Sequence, residues 1–306
     1  MILFFVTLII YSIMRCIPTS YVEKIARERA SLPGGKSYQE WLTQLNAAYG
    51  FDKGIVEGYF SNWLGSTLKG DFGDSWFFNV PVVQKFNTVI WNSFILGVIS
   101  FVLEIVIAVP LGILAAVRHD RFTDYFLRFC SFIGNALPNF FVALLLMQVF
   151  SIHWNIFPVI SNGATLRSAV LPSLTLAIAM SAKYMRQVRA AVLEELGKDY
   201  VAGARARGVR GRVILWRSVL RSAMLTIITL LALSIGSLLG GTAIIESIFM
   251  WDGVGKLAVD AITMRDYPLI QAYVVWMAVI YVTVNLITDI LYNALDPRIR
   301  LGVSEA

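Results

Sequence analysis

The sequence is poor in charge and in cysteine, and each shortage excludes a class of protein. Only 15% of the 306 residues are charged, whereas soluble domains carry roughly 25%, so a soluble protein of this composition could not cover its surface. Two cysteines exclude a disulfide scaffold. An aromatic content of 13% excludes a disordered chain. With 57% hydrophobic residues, the composition predicts a polytopic membrane protein.

Motifs of catalytic chemistry are missing as well. The two histidines, His119 and His153, stand far apart, and no metal-ligand, redox or nucleophile motif occurs. Glu104 is the one acid near the middle of an apolar run, where a functional role and a structural interhelical role both stay open. We therefore predict no enzymatic activity, no catalytic residue, no metal site and no cofactor in this chain.

Six apolar runs dominate what is present, and a transmembrane helix needs about 20 such residues. The runs are Met1–Pro18, Val89–Val117, Tyr125–Ile152, Ala169–Met185, Met224–Phe249 and Ile270–Ala294. The first is short but lacks the basic start and the cleavage site of a signal peptide, so we expect an N-terminally incomplete transmembrane helix. The pattern predicts an all-α protein with six transmembrane helices.

The charges between the runs predict the orientation of the chain across the membrane, because cytoplasmic loops are rich in lysine and arginine. Lys183–Arg221 carries ten basic and three acidic residues, a local charge of +7 that exceeds the +6 of the whole chain. Thr19–Ile90 is neutral and Glu246–Asp266 carries −2. We expect Lys183–Arg221 and both termini in the cytoplasm and the other two segments outside, although Arg15 does not fit.

The predicted organisation follows from the runs and charges. Residues 1–18 form the first transmembrane helix, and residues 19–88 form a small extracytoplasmic cap. Residues 89–296 form a core of five helices that includes a cytoplasmic hairpin, residues 183–221. Residues 297–306 form a cytoplasmic tail.

The hairpin has a sequence suited to docking. Asp199–Arg207 predicts a short helix, with Asp199 as its N-cap and Gly208 as its end, and Arg212–Arg221 predicts helix again. Small residues let another surface approach, and arginines bind acids. The residues alone leave two interpretations equally open, a protein-docking helix and a membrane-surface helix held by anionic lipids.

The stretch from Ala202 to Gly208 resembles the E-A-A-x-x-x-G motif of ABC importer permeases. Asp199–Arg221 is similar to the variant of the oligopeptide/dipeptide/nickel permease family, although Ala202 replaces the glutamate, Gly203 the first alanine, and Arg221 a proline. Further segments resemble this family in order along the chain: Gly70–Ser75, Val109–Ile113, Leu137–Phe140, Gly240–Phe249, Gly253–Gly255 with Arg265–Pro268, and Leu295–Arg300.

The resemblance implies a type I ABC importer permease fold in a bacterial or archaeal plasma (inner) membrane. Implied partners are a second permease, two ATPases that bind ATP and Mg²⁺, an extracytoplasmic binding protein and membrane lipid, but no nucleic acid. The implied ATPase-coupling helix comprises Asp199, Tyr200, Ala202, Gly203, Ala204, Arg205, Arg207 and Gly208. The expected substrates are peptides, and nickel or a nickel chelate is the alternative. An ATP-independent secondary transporter is the rival class, but the coupling acids or internal repeat that it should have are not visible.

Small and polar positions within the apolar runs mark the expected translocation pathway. Asn135 and Asn139 flank Pro138, where we expect a kink that faces the pathway. Ser234, Ser237 and Thr242 share the fifth run. These five polar residues are our candidates for the pathway lining. The G-x-x-x-G pattern of Gly236–Gly240 in the fifth run fits either close packing against the partner permease or the pathway wall.

Overall fold

The computed structural model describes residues 2–15, 20–32, 36–48, 53–161 and 163–295. Within these ranges the chain is almost entirely helical, and the only strand-like pairing described is an isolated bridge between Asp74 and Pro81. The all-α prediction is thereby confirmed. The α-helices are α1 (Ile2–Arg15), α2 (Ser20–Ala30), α3 (Tyr38–Ala48), α4 (Ile55–Gly58), α5 (Leu64–Leu68), α6 (Val82–Val117), α7 (Phe122–Ala136), α8 (Asn139–Leu146), α9 (Leu166–Leu196), α10 (Asp199–Ala206), α11 (Gly211–Ile214), α12 (Leu220–Ile248), α13 (Val254–Met264) and α14 (Tyr267–Leu295). Three π-helical segments extend or join them: Tyr59–Trp63, Met147–His153 and Leu215–Val219.

Three described helices are long and apolar enough to cross a membrane, namely Val82–Val117, Gly211–Gly236 and Tyr267–Ile290. A fourth candidate is the pair Phe122–Ala136 and Asn139–His153, which is bent by 103°. The first predicted run contains the shorter apolar helix Leu3–Ile13. Six transmembrane helices therefore stay a prediction, and the C-terminal tail, residues 297–306, lies outside the described residues.

Four predicted runs differ from the helices found. The second begins earlier than predicted, at Val82, and the fourth continues past Met185 to Leu196. The third run does not form one straight helix, because Leu137 and Pro138 both take extended backbone angles, as a residue before proline tends to do. The expected kink at Pro138 is confirmed. The fifth run does not start at Met224: the helix continues back to Gly211 through the π-helical segment Leu215–Val219, so the helix predicted over Arg212–Arg221 joins it.

The chain divides into two compact units, residues 1–90 with 257–282 and residues 91–256 with 283–306. In the first unit, α2 and α3 enclose a small core of Val22, Ile25, Ala26, Leu45 and Trp76. Cationic side chains cover its aromatic rim, because Arg29 lies 5.2 Å from the ring centre of Trp41 and Arg27 lies 5.7 Å from that of Tyr38. Apolar burial and cation–π contacts thus hold the helices of the predicted cap region.

In the second unit α9 is the central element, and more than half of its residues are buried. Small residues bring the neighbouring helices against it. A methyl group added at Gly112 would lie 2.8 Å from Val188, and one at Gly134 would lie 2.9 Å from Ala182. A capping box formed by Thr165 and Ser168 starts the helix. The sequence therefore supplies a defined start and glycines where α6 and α7 approach it.

Candidate functional site

Helix α10 is the predicted coupling helix, and its C-terminal end has the expected geometry. Gly208 adopts a φ of +75°, which an L side chain rarely adopts. Its N–H donates to Arg205 O over 2.9 Å, and the Val209 N–H donates to Ala204 O over 3.1 Å. These two bonds form a Schellman motif, so the prediction that Gly208 ends the helix is confirmed.

The predicted N-cap was wrong. Helix α9 closes at Gly197, and Lys198 alone takes an extended conformation before α10 begins. Lys198 is therefore the N-cap, without a side-chain hydrogen bond, and Asp199 is already the first helical residue. Asp199 still places a carboxylate in the first turn, where it interacts favourably with the helix dipole.

Val201 attaches α10 to the rest of the second unit. Its side chain is fully buried. It joins an apolar cluster drawn from α6, α9, α11 and α12, with buried members Ala116, Val188, Val192, Val201, Ile214, Val219, Leu220, Ala223, Ile227 and Leu231. Sequence reasoning did not single out this valine, although it is the one aliphatic side chain between Asp199 and Gly208 larger than alanine.

The remaining predicted residues of α10 give it a small and basic outer surface. Ala202, Arg205 and Arg207 are exposed, and Gly203 and Ala204 are half-buried. A methyl group at Gly203 would meet only the end of the Arg207 side chain, at 3.8 Å. The outer surface therefore presents two guanidinium groups beside a flat patch, a suitable arrangement for an acidic protein groove.

Tyr200 and Lys198 link the N-terminal end of α10 to α9. The Tyr200 hydroxyl donates to Glu195 Oε2 over 3.0 Å, and Lys198 forms an ion pair with the same carboxylate. Partial burial, aided by the bond to Glu195, raises the pKa of Tyr200. The hydroxyl therefore stays a protonated donor at neutral pH.

An ion pair that the sequence analysis missed connects α7 with α9. Arg189 Nε and Nη2 donate to the two carboxylate oxygens of Asp124, each over 2.7 Å. Asp124 is fully buried, and the Asp120 N–H also donates to it over 3.1 Å. His119, Asp120 and Asp124 lie close enough to suggest a metal site, but the oxygens of Asp124 are already committed to Arg189.

The predicted pathway residues occupy different environments. Asn135 is exposed and Asn139 half-buried, on either side of the bend at Pro138. Ser234 is fully buried, and its hydroxyl donates to Glu104 Oε2 over 3.1 Å. The structure thus joins Ser234 to the lone acid of the second apolar run. Thr242 is half-buried, while the side chain of Ser237 lies outside the described part of the chain.

Glu246 organises the start of α13. Ser93 Oγ donates to Glu246 Oε1 over 2.7 Å, and the Lys256 N–H donates to Oε2 over 2.9 Å. A methyl group at Gly253 would clash with Glu246 Oε2, and one at Gly255 would lie 2.5 Å from the Ala243 backbone. The close approach of these groups explains why glycines occupy both positions.

In the first unit the structure brings two of the family-like segments together. The Ser75 hydroxyl donates to Asp266 Oδ2 over 2.5 Å, and the Phe77 N–H donates to the same oxygen over 3.1 Å. The Leu269 N–H approaches Asp266 Oδ1 at 3.4 Å. A buried carboxylate thus fixes the aromatic turn of the predicted cap against the start of α14.

The chain is similar to known proteins over most of its length. A family described as binding-protein-dependent transport system inner membrane component matches residues 108–301. The oligopeptide transport system permease protein AppB of Bacillus subtilis is 39% identical over 249 residues, covering 78% of each chain. The metal-staphylopine import system permease protein CntB of Staphylococcus aureus is 35% identical over 86% of this chain and 84% of its own.

A third relative is the dipeptide transport system permease protein DppB of Escherichia coli, which is 32% identical over 96% of this chain and 94% of its own. Among solved structures, a chain of the MetNI methionine ABC transporter in an inward-facing conformation matches with a TM-score of 0.58. It is 15% identical, and the match covers 70% of this chain and 97% of that one. At that identity the likeness concerns the fold.

Proposed function

The chain belongs to the binding-protein-dependent transport system inner membrane component family, and on this premise we propose that it forms half of a peptide translocation pathway. Members of the family are membrane-spanning permease subunits of ABC importers, in which ATP hydrolysis resides in separate subunits. The observation that carries the peptide assignment is the 39% and 32% identity to permeases named for oligopeptide and dipeptide transport.

In the proposed mechanism this chain pairs with a second, homologous permease. Two ATPase subunits, which bind ATP and Mg²⁺, act from the cytoplasm, and an extracytoplasmic binding protein delivers the peptide. Closure of the ATPases moves α10, and the bundle exchanges two packings that expose the pathway to opposite sides. Different affinities of the two states for ATP supply the energy. The exposed arginines of α10 and its buried Val201 support this role.

The proposed pathway uses Asn135, Asn139, Ser234, Ser237 and Thr242. The bend at Pro138 supports the first two, because it separates α7 from α8 and leaves Asn135 exposed. We include Ser234 because we propose that its hydrogen bond to Glu104 differs between the two packings of the helix bundle. Weakly polar residues of this kind suit peptides, which present backbone amides and varied side chains.

A metal chelate is the second candidate substrate. The relative named for metal-staphylopine import is 35% identical over 86% of this chain, close to the identity of the peptide permeases. In this alternative the same weakly polar pathway would carry the chelate.

Reconstitution of the complete importer in liposomes tests these proposals. We expect uptake of a labelled peptide that requires both ATP and the binding protein. Uptake of a nickel chelate with no uptake of peptide would favour the second candidate. Uptake by this chain without ATPase subunits would overturn the importer mechanism and favour a secondary transporter.

We also propose that both termini and α10 lie in the cytoplasm, since the +7 charge of residues 183–221 favours that side. In a background without Cys16 and Cys130, a membrane-impermeant thiol reagent applied to intact spheroplasts should modify Asp74→Cys and spare Arg207→Cys. The opposite labelling pattern would reverse the orientation.

A further inference from the structure

An apolar groove of about 660 Å³ lies in the second unit, between the C-terminal part of α6 and the segment that leads into α12. One wall runs from Val109 to Val117 and the other from Leu215 to Met224. Its volume is within the roughly 300–1,000 Å³ of typical small-molecule sites. Neither α10 nor the proposed pathway residues line this groove.

The groove has a local structural origin. Pro110 interrupts the backbone hydrogen bonding of α6 on one wall, and the π-helical segment Leu215–Val219 changes the helical register on the other. Trp216, within that segment, is 67% exposed at the edge of the groove. Both irregular features lie in helices that are long and apolar enough to cross a membrane.

The groove carries little charge. Arg221 is its one charged lining residue. Arg217 lies one turn earlier, and Arg118 follows Val117 directly at the end of α6; all three arginines are exposed. An apolar groove with one guanidinium group in its lining and two more nearby in the sequence complements a molecule with a long apolar chain and an anionic phosphate. A tryptophan beside the arginines is typical of the depth where lipid headgroups begin.

We propose that this groove binds one anionic phospholipid. An acyl chain lies along Pro110 and Ile113, and the headgroup phosphate accepts hydrogen bonds from Arg221. This site goes beyond the proposed transport function, since it requires no ATPase contact and no transported substrate. It also assigns a role to Arg221, which stands where the resembled motif has proline.

Quenching of tryptophan fluorescence by brominated acyl chains tests the proposal. The importer complex is reconstituted with brominated phosphatidylglycerol or brominated phosphatidylcholine, and the signal of Trp216 is isolated as the difference from Trp216→Phe. We expect phosphatidylglycerol to associate about fivefold more strongly, as one favourable basic contact predicts. Arg221→Gln should remove this preference.

Arg128→Gln is the matched control, because Arg128 is an exposed arginine on α7, whose residues do not line the groove. It should retain the fivefold preference. Equal quenching of Trp216 by both lipids would overturn the proposal in favour of ordinary surrounding lipid. Absence of quenching by either lipid would overturn it in favour of a protein subunit that covers the groove.

Discussion

Two short segments of the second unit, residues 199–209 and residues 246–256, have similar sizes but are stabilised differently. Val201 anchors helix α10 of the first segment on its buried side, while Arg205 and Arg207 are exposed. The start of α13 in the second segment is held by the Glu246 carboxylate, and Gly253, Val254 and Gly255 are all buried. The first segment is fixed from one side only, whereas the second is enclosed at residues 253–255.

The difference indicates separate roles. A helix that transmits force to another subunit needs a rigid attachment and a free surface, which one apolar anchor and a closed C-terminal end provide. A segment that shapes the end of a bundle needs a fixed backbone, which buried hydrogen bonds provide. Substitutions in the first segment should therefore alter coupling, and those in the second should alter stability.

The largest expected effect is on coupling. The double substitution Arg205→Glu and Arg207→Glu should reduce ATPase association and ATP-driven uptake more than tenfold, because like charges replace attractive ones at the proposed interface. Co-purification of the ATPase subunits and liposome uptake measure it. Arg128→Glu, a charge reversal on α7, should leave association unchanged. Unchanged co-purification of the double variant would contradict the assignment of α10.

In the enclosed segment, Gly253→Ala should lower stability by about 1–3 kcal/mol, because overpacking of a closed site costs that much. The added methyl group would clash with Glu246 Oε2 and with Ser93 Oγ. Thermal unfolding of the purified complex in detergent measures the loss. Gly97→Ala is the control, since nothing lies within 4 Å of that position. Equal stability of the two variants would show that the site can relax.

A smaller effect is expected at the C-terminal end of α10. Gly208→Ala should cost about 1–2 kcal/mol, because the φ of +75° disfavours any L side chain. The loss should appear as faster local amide exchange across residues 204–209, and uptake should fall with it. Gly211→Ala has free space and no positive φ, so its exchange should match that of the unaltered protein.

The sequence alone predicts helix α10 and its C-terminal end, but it predicts little about the contacts of residues 246–256. Small residues, arginines and Gly208 lie within ten positions, so local pattern was enough to locate α10 and its end. The prediction that Asp199 is the N-cap was wrong, because the C-cap of α9 is Gly197 and only Lys198 is extended before α10 begins. Where a neighbouring helix stops is not visible in the eight residues of α10.

Contacts across long sequence separations could not be inferred. Ser93 and Glu246 are 153 positions apart, and Asp124 and Arg189 are 65 apart. No periodicity links such pairs, since each side chain could equally face solvent, lipid or another subunit. The break at Pro138 was predictable from the proline, but its 103° bend depends on how α7 and α8 both pack on α9.

The smallest effect is expected from a substitution that weakens the attachment of α10 and leaves its exposed surface unchanged. Tyr200→Phe removes the hydroxyl that donates to Glu195 and should destabilise the α9–α10 junction by roughly 0.5–1.5 kcal/mol. Because Arg205 and Arg207 are unchanged, ATPase association should persist. ATP hydrolysis should become less dependent on the binding protein, because α10 is attached less rigidly to α9. Hydrolysis rates with and without binding protein measure this coupling. A loss of ATPase association equal to that of the arginine double variant would instead place Tyr200 in the docking surface itself.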